Sequence, residues 1–212
     1  MNIVYHHRTR GEDAQGIHIR ALCEAFRSLG HRVRVMAPAR RRHARTRPAN
    51  PGKRERHADS RPSLAGVPIP YWLYEGLALG YNIPAMVVLL AVVLRDRPAF
   101  IYERYALFNI AGLVVARITR RPLILEVNAP LSLELQQHGD LTFRRLAVAI
   151  EDWLCSRANR TLVVTGAMAD IFARRGVPVE RLEVIPNGVD GDAFHPGVDG
   201  DTVRARYGLR DC

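Results

Sequence analysis

Two carboxylates separated by one small residue can share a hard divalent cation. The sequence offers that spacing twice, in the Asp-Gly-Asp triplets Asp190–Asp192 and Asp199–Asp201. Their setting argues against a metal. Gly188, Gly191, Gly197 and Gly200 surround them, and Asn-Gly and Asp-Gly are turn dipeptides, so IPNGVDGDAFHPGVDGD reads as a hinge. Glu126 and Glu134 form a second pair with seven residues between them. Ten glutamates in 212 residues readily produce that spacing by chance, and it is read as coincidence.

The better candidates are polar residues that end β-rich runs. Glu103 could orient a hydroxyl while Arg104 holds a phosphate through two parallel hydrogen bonds. A local surface ion pair explains the same dipeptide. Asn128 could bond a hydroxyl through its amide, or simply turn the chain before Pro130. Thr165 and Gly166 could face a ligand, and Thr165 also suits a helix cap. Asn187 could do the same, or organise its own turn. Gly16 would let an anion approach a helix N-terminus, and His18 lies near the same first loop as His6 and His7. There is no Gly-x-Gly-x-x-Gly, no P-loop and no Gly-x-Ser-x-Gly. The dinucleotide, P-loop and α/β-hydrolase fingerprints are therefore absent.

These positions presuppose elements that align them. NIVYH (Asn2–His6) reads as a strand, and Ile19, Leu22, Cys23, Phe26 and Leu29 recur at helical spacing up to Gly30. HRVRVMAP is a second strand and AGVPIP (Ala65–Pro70) a third. A helix around Ile83–Arg95 precedes the strand Ala99–Glu103, and a helix near Leu107–Ile118 precedes the strand Pro122–Val127. Then come a helix over Phe143–Ser156, a strand Thr161–Thr165, a helix Ala167–Arg175 and a last strand Leu182–Pro186. Alternation of this kind predicts an α/β domain: a Rossmann-like parallel sheet with helices on both faces. Ligand sites in such sheets gather beyond the strand C-termini.

Charge is unevenly spread. Arg40–Arg61 holds nine basic residues against Glu55 and Asp59, so it carries +7 of the net +10. Rich in proline and poor in large apolar residues, residues 40–62 cannot help build a core and read as a mobile basic loop. It is either a solvated insertion or a contact for anionic lipid headgroups or a phosphorylated substrate. Nucleic acid is not an expected partner, because no aromatic interleaves the arginines. Three cysteines without metal-ligand spacing suit a reducing cytosol, and the N-terminus carries no signal-peptide pattern. Ile83–Leu94 is twelve apolar residues long, too short to span a bilayer, and reads as a buried helix or one lying on a membrane surface.

Several stretches in order resemble the N-terminal half of the family 4 retaining glycosyltransferases, enzymes of the two-domain GT-B fold. They are GIHIRALCEAFRSLGHRVRVMAP, IYERY, ILEVNAPLSLE, and AIEDWLCSRANRTLVVTGAMADIFARRGVPVERLEVIPNGVDGDAFHP, the last ending in the family's V-I-P-N-G-V-D signature. Glu103 and Asn128 stand where family members often have histidines. The resemblance implies a metal-independent, retaining hexosyl transfer from a nucleotide sugar to a saccharide or lipid-linked saccharide, with no cofactor beyond that co-substrate. It implies Glu103 and Asn128 as catalytic residues, and Gly16, His18, Arg104, Thr165, Gly166 and Asn187 as acceptor or donor-phosphate ligands. Residues 1–188 are expected to form the acceptor-side domain. Residues 189–212 are expected to be the hinge and stub of a donor-binding domain that a longer chain or a separate polypeptide supplies. The expected location is the cytoplasm, at the inner membrane face, with contact to anionic lipid. The reading from another class is a non-catalytic Rossmann-like module that binds an anionic ligand or a membrane surface.

Overall fold

The computed structural model describes residues 1–9, 14–37, 63–64, 67–189, 191–192 and 195–209. The basic segment, Asp190 and Cys212 lie outside the described residues. Six parallel strands form the main sheet in the order β2-β1-β5-β6-β7-β8: β1 Asn2–His6, β2 Arg32–Met36, β5 Phe100–Arg104, β6 Leu123–Val127, β7 Arg160–Val163 and β8 Leu182–Val184. This is the Rossmann-like sheet the alternation predicts, wound outward in both directions from β1 and β5.

Helices cover both faces. α1 (Ala14–Ser28) buries Ile19 and Cys23 against Ile3, Tyr5 and Tyr102 on one face. On the other, α3 (Asn82–Asp96), α4 (Ala111–Thr119), α6 (Arg144–Arg157) and α7 (Gly166–Arg174) enclose Val4, Ile101, Leu125 and Val163. Leu89 of α3 and Leu154 of α6 are wholly buried there. Each such side chain contributes roughly 1.5–3 kcal/mol by leaving water. Gly30 and Gly176 follow α1 and α7 with φ of 80° and 88°, the left-handed geometry that suits a glycine past a helix end.

One expected strand needs correction, and two helices were not anticipated. AGVPIP adds no strand to the sheet; β3 (Ser63–Leu64) and β4 (Val67–Pro68) form only a two-residue antiparallel ladder. Prolines at 68 and 70 cannot donate to a longer one. The residues after it are helical: α2 (Tyr71–Gly80) abuts α3 at Tyr81, whose φ −58° and ψ −26° are themselves helical. The helical stretch thus extends to 26 residues, Tyr71–Asp96, long and apolar enough by length and composition to cross a membrane. Pro84 is tolerated because it sits in the first turn of α3, where its missing N–H costs no bond. Finally, α5 (Leu131–His138) lies between β6 and α6.

Buried acids tie these helices together. Glu75 of α2 accepts the Thr142 and Phe143 backbone N–H groups at 2.7 and 2.8 Å, capping the N-terminus of α6 from a different helix. Glu151 of α6 accepts the Ser132 hydroxyl and backbone N–H of α5 and pairs with Arg175 beyond α7.

Candidate functional site

Strand register assembles the site. β1 pairs with β5 so that His6 stands opposite Glu103, and β5 pairs with β6 so that Arg104 stands opposite Glu126. Successive side chains on a strand point to opposite faces. Glu103 and Arg104 therefore separate, and the adjacent dipeptide is not a local surface ion pair. Both residues are buried, each in a different cluster.

On the α1 face the hub is Glu126. Its Oε1 receives Arg104 Nη1 at 2.5 Å, Asn128 Nδ2 at 2.5 Å and His18 Nε2 at 3.1 Å, and its Oε2 accepts the Tyr5 hydroxyl at 3.3 Å. Tyr5 stacks on Tyr102 with ring centroids 5.1 Å apart, which holds the hydroxyl in place. Burial first, and then the Glu126 charge, push the Tyr5 pKa up, so the phenol stays neutral and donates. Three of the predicted residues, His18, Arg104 and Asn128, thus converge on one carboxylate. Of these, the His18 side chain is 30% exposed and Asn128 is half-buried, so they are the members that solvent and a ligand can reach. Gly16 is buried in the first turn of α1, two residues before His18.

The motif reading set Glu126 aside as half of a chance pair, and Glu134 is indeed exposed on α5. A different signal would have found Glu126. A carboxylate set within a continuous apolar run, as in LILEV, is about to be buried and must be paired.

The second cluster lies on the opposite face. Glu103 is fully buried; its Oε1 meets His6 Nδ1 at 2.8 Å and accepts Asn109 Nδ2 at 2.6 Å. Placed there, Glu103 does not open on solvent. It orients His6, which is itself buried. Gly112, in the first turn of α4, makes room for it: a Cβ at Gly112 would lie 1.8 Å from Glu103 Oε2. Gly112→Ala is therefore expected to destabilise the fold by about 1–3 kcal/mol or more through overpacking. Elsewhere inside a helix the same change stabilises by up to about 1 kcal/mol. A denaturant midpoint that rises in this variant would refute the packing described.

Beyond the ends of β1, β5 and β6 opens a cleft of about 490 Å³. Arg8 and Thr9 from the loop after β1, Tyr71 and Tyr74 from α2, Tyr105 after β5 and Leu131 at the start of α5 are among its walls. Arg8 donates to the Leu107 carbonyl at 3.3 Å and lies 4.6 Å over the Tyr81 ring. Burial lowers its pKa, the mark of a cation held partly out of water and better placed than a surface arginine to meet an anion. Tyr71 donates to Asp140 Oδ1 at 2.5 Å, which leaves the cleft aromatic on one wall and polar at its far end. Arg8, Tyr71, Tyr74 and Tyr105 were not picked out in the sequence. Arg8 stands in the first strand-end loop, and that position is the one signal it gave.

Thr165, Gly166 and Asn187 lie apart from both clusters, exposed at the ends of the neighbouring strands β7 and β8. Thr165 accepts the Met168 N–H at 3.2 Å and so caps α7. Of the Asp-Gly-Asp triplets, Asp192, Asp199 and Asp201 are exposed. Asp199 Oδ1 accepts the Asp201 N–H at 2.8 Å at the start of α8 (Asp201–Tyr207), and Asp201 pairs with Arg204. Among the described residues no three His, Cys, Asp or Glu side chains come together as a metal site would require.

The comparisons agree with this fold. The profile of glycosyltransferase family 4 matches residues 15–193. No curated protein matches the sequence. Among solved structures, Anabaena HepE in complex with UDP and glucose superposes with a TM-score of 0.61 at 17% identity, over 98% of this chain and 50% of that one. Sucrose-phosphate synthase from Thermosynechococcus elongatus does so with a TM-score of 0.61 at 16% identity, over 99% and 53%. A glycosyltransferase from Rickettsia africae gives 0.56 at 9% identity, over 99% and 50%. The chain thus spans about half the length of these structures, and its sheet is the N-terminal half of a GT-B fold. With the profile covering most of its length, the chain belongs to glycosyltransferase family 4.

Proposed function

We propose that this chain is the acceptor-side half of a retaining, metal-independent glycosyltransferase. In this reading a nucleotide sugar is the co-substrate, no other cofactor takes part, and a hexosyl group passes to a saccharide or lipid-linked saccharide at the cytoplasmic face of the membrane. A donor-binding half, in a longer chain or as a separate polypeptide, supplies the rest of the nucleotide-sugar site. The observation that carries the reading is the tyrosine-walled cleft with Arg8 at the strand C-termini of a family 4 chain.

The chemistry required is modest in kind. An acceptor hydroxyl must be held in line with the anomeric carbon, and the departing phosphate must be met by donors already in place. The tyrosine walls offer flat faces on which a sugar ring can lie, and the Asp140 end offers an acceptor for its hydroxyls. Arg8 is the partly desolvated cation for an anionic group on the acceptor. His18 and Asn128, fixed by Glu126, border the same strand edge and are assigned to the sugar or its phosphate. Glu103 serves by holding His6.

The test combines the protein with its donor-binding half and follows label from radioactive nucleotide sugars into saccharide and lipid fractions. Arg8→Ala is expected to raise the acceptor KM on the order of tenfold or more, the loss of a charge-assisted contact, with the donor KM unchanged. A rise in donor KM alone would move Arg8 to the other substrate. Absence of any labelled product across the common nucleotide sugars would favour the non-catalytic binding module.

A further inference from the structure

The helical stretch Tyr71–Asp96 has two different sides. Ala78, Ala85, Leu89 and Val93 face the core. The opposite side is as apolar and is uncovered: Leu77, Ile83, Val87, Val88 and Leu94 are between 45% and 66% exposed, and Trp72 55%. A surface helix of a water-soluble domain carries charges outward. From Gly76 to Leu94 this one has none, nineteen residues without a charged side chain. Its most apolar part is only 28% buried. Because its inner side is built into the sheet's core, the stretch cannot cross a bilayer in this fold; it can only rest in one.

We infer that the outer face of α2 and α3 is a monotopic docking surface for an anionic lipid bilayer, and that it sets the cleft mouth at headgroup depth. Charge chooses the occupant. The segment Arg40–Arg61, carrying +7, runs in sequence into the start of α2, and Arg95 and Arg97 follow the apolar run. Basic residues on both flanks of an uncharged helix suit anionic headgroups. Charge also disfavours a second copy, since each chain carries a net +10. The aromatic end of the stretch agrees, since Trp72 is the exposed member of a Tyr-Trp-Leu-Tyr run, and amphipathic rings favour the bilayer interface. The cleft lies at that same end: Tyr71 and Tyr74 line it while Trp72 points outward. An acceptor with a lipid tail would then enter from the bilayer without leaving it. This inference rests on the proposed function for the purpose of the docking, and on the exposed face alone for its existence.

The experiment is flotation of the full chain with vesicles of phosphatidylcholine, alone or mixed equally with phosphatidylglycerol, in the absence of any sugar nucleotide. Its failure would therefore leave the glycosyltransferase reading standing. In Trp153→Phe, Trp72 is the remaining indole; its emission should shift to the blue on the mixed vesicles and be quenched by brominated lipid. Val87→Asp with Leu94→Asp should weaken binding at least about tenfold with an unchanged circular dichroism spectrum and melting temperature, because both side chains are exposed. Four results overturn the inference: no vesicle binding; equal binding to both compositions; binding that salt abolishes but the aspartates leave untouched; or a dimer that the aspartates dissociate.

Discussion

Glu126→Ala should cost the domain about 3–5 kcal/mol and abolish transfer in the assembled enzyme. The stability loss follows from what the carboxylate leaves behind. Arg104 is 8% exposed and pairs with Glu126 at 2.5 Å. Truncating one partner of a buried pair strands the other charge in a medium that cannot solvate it. The Tyr5 hydroxyl and the Asn128 amide lose their acceptor in the same step. Natural domains have about 5–15 kcal/mol to lose, so the denaturant midpoint should fall sharply while the slope of the transition stays the same. Glu126→Gln keeps the volume and one acceptor oxygen, and should lose less, about 1–3 kcal/mol. Replacing both partners, Glu126→Leu with Arg104→Met, removes both charges and should regain most of the stability, as apolar replacements of buried pairs do. Activity should not return in that double variant, because His18 and Asn128 are then held by nothing. A midpoint for Glu126→Ala within about 0.5 kcal/mol of the parent, the range of an ordinary surface change, would mean the cluster is solvated and organises nothing.

Much of this arrangement was legible in the sequence, for identifiable reasons. Alternating strand and helix periods imply a parallel sheet, and the rule for strand C-termini led directly to Glu103, Arg104 and Asn128. Hydrophobic periodicity is a local signal, so it survives in a single sequence. The partners were less legible because they depend on register. Nothing near Arg104 in the chain says that Glu126, twenty-two residues on, stands opposite it. The split between Glu103 and Arg104 was available from the two-residue strand period alone, and the surface-pair alternative overlooked it. α2 was hidden for another reason. YWLYEGLALG combines two glycines with aromatics of modest helix propensity, and tertiary packing of Glu75 and Ala78 overrides that preference. The tyrosine walls of the cleft went unseen with it.

Glu151→Ala tests the same electrostatic logic away from both strand-end clusters. Glu151 is wholly buried in α6, and three groups depend on it: the Ser132 hydroxyl at 2.5 Å, the Ser132 N–H at 3.2 Å, and Arg175 at 2.7 Å. Arg175 keeps a second partner in Asp152, also at 2.7 Å, and is 20% exposed, so it is not stranded as Arg104 would be. The cost therefore comes mainly from the orphaned Ser132 groups and the cavity, about 3 kcal/mol together. It should appear as a lower melting temperature and earlier proteolysis of α5, whose start is pinned by that bond. What separates Glu151 from Glu126 is catalysis per folded molecule. At a temperature where the variant remains native, kcat and both KM values should match those of the parent, since Glu151 reaches no strand-end cluster. A kcat that falls while the protein is still folded would place α5 in the working site, with Leu131 and Leu135 on the cleft wall as the means of transmission. The two buried acids would then differ in distance from the chemistry but not in kind.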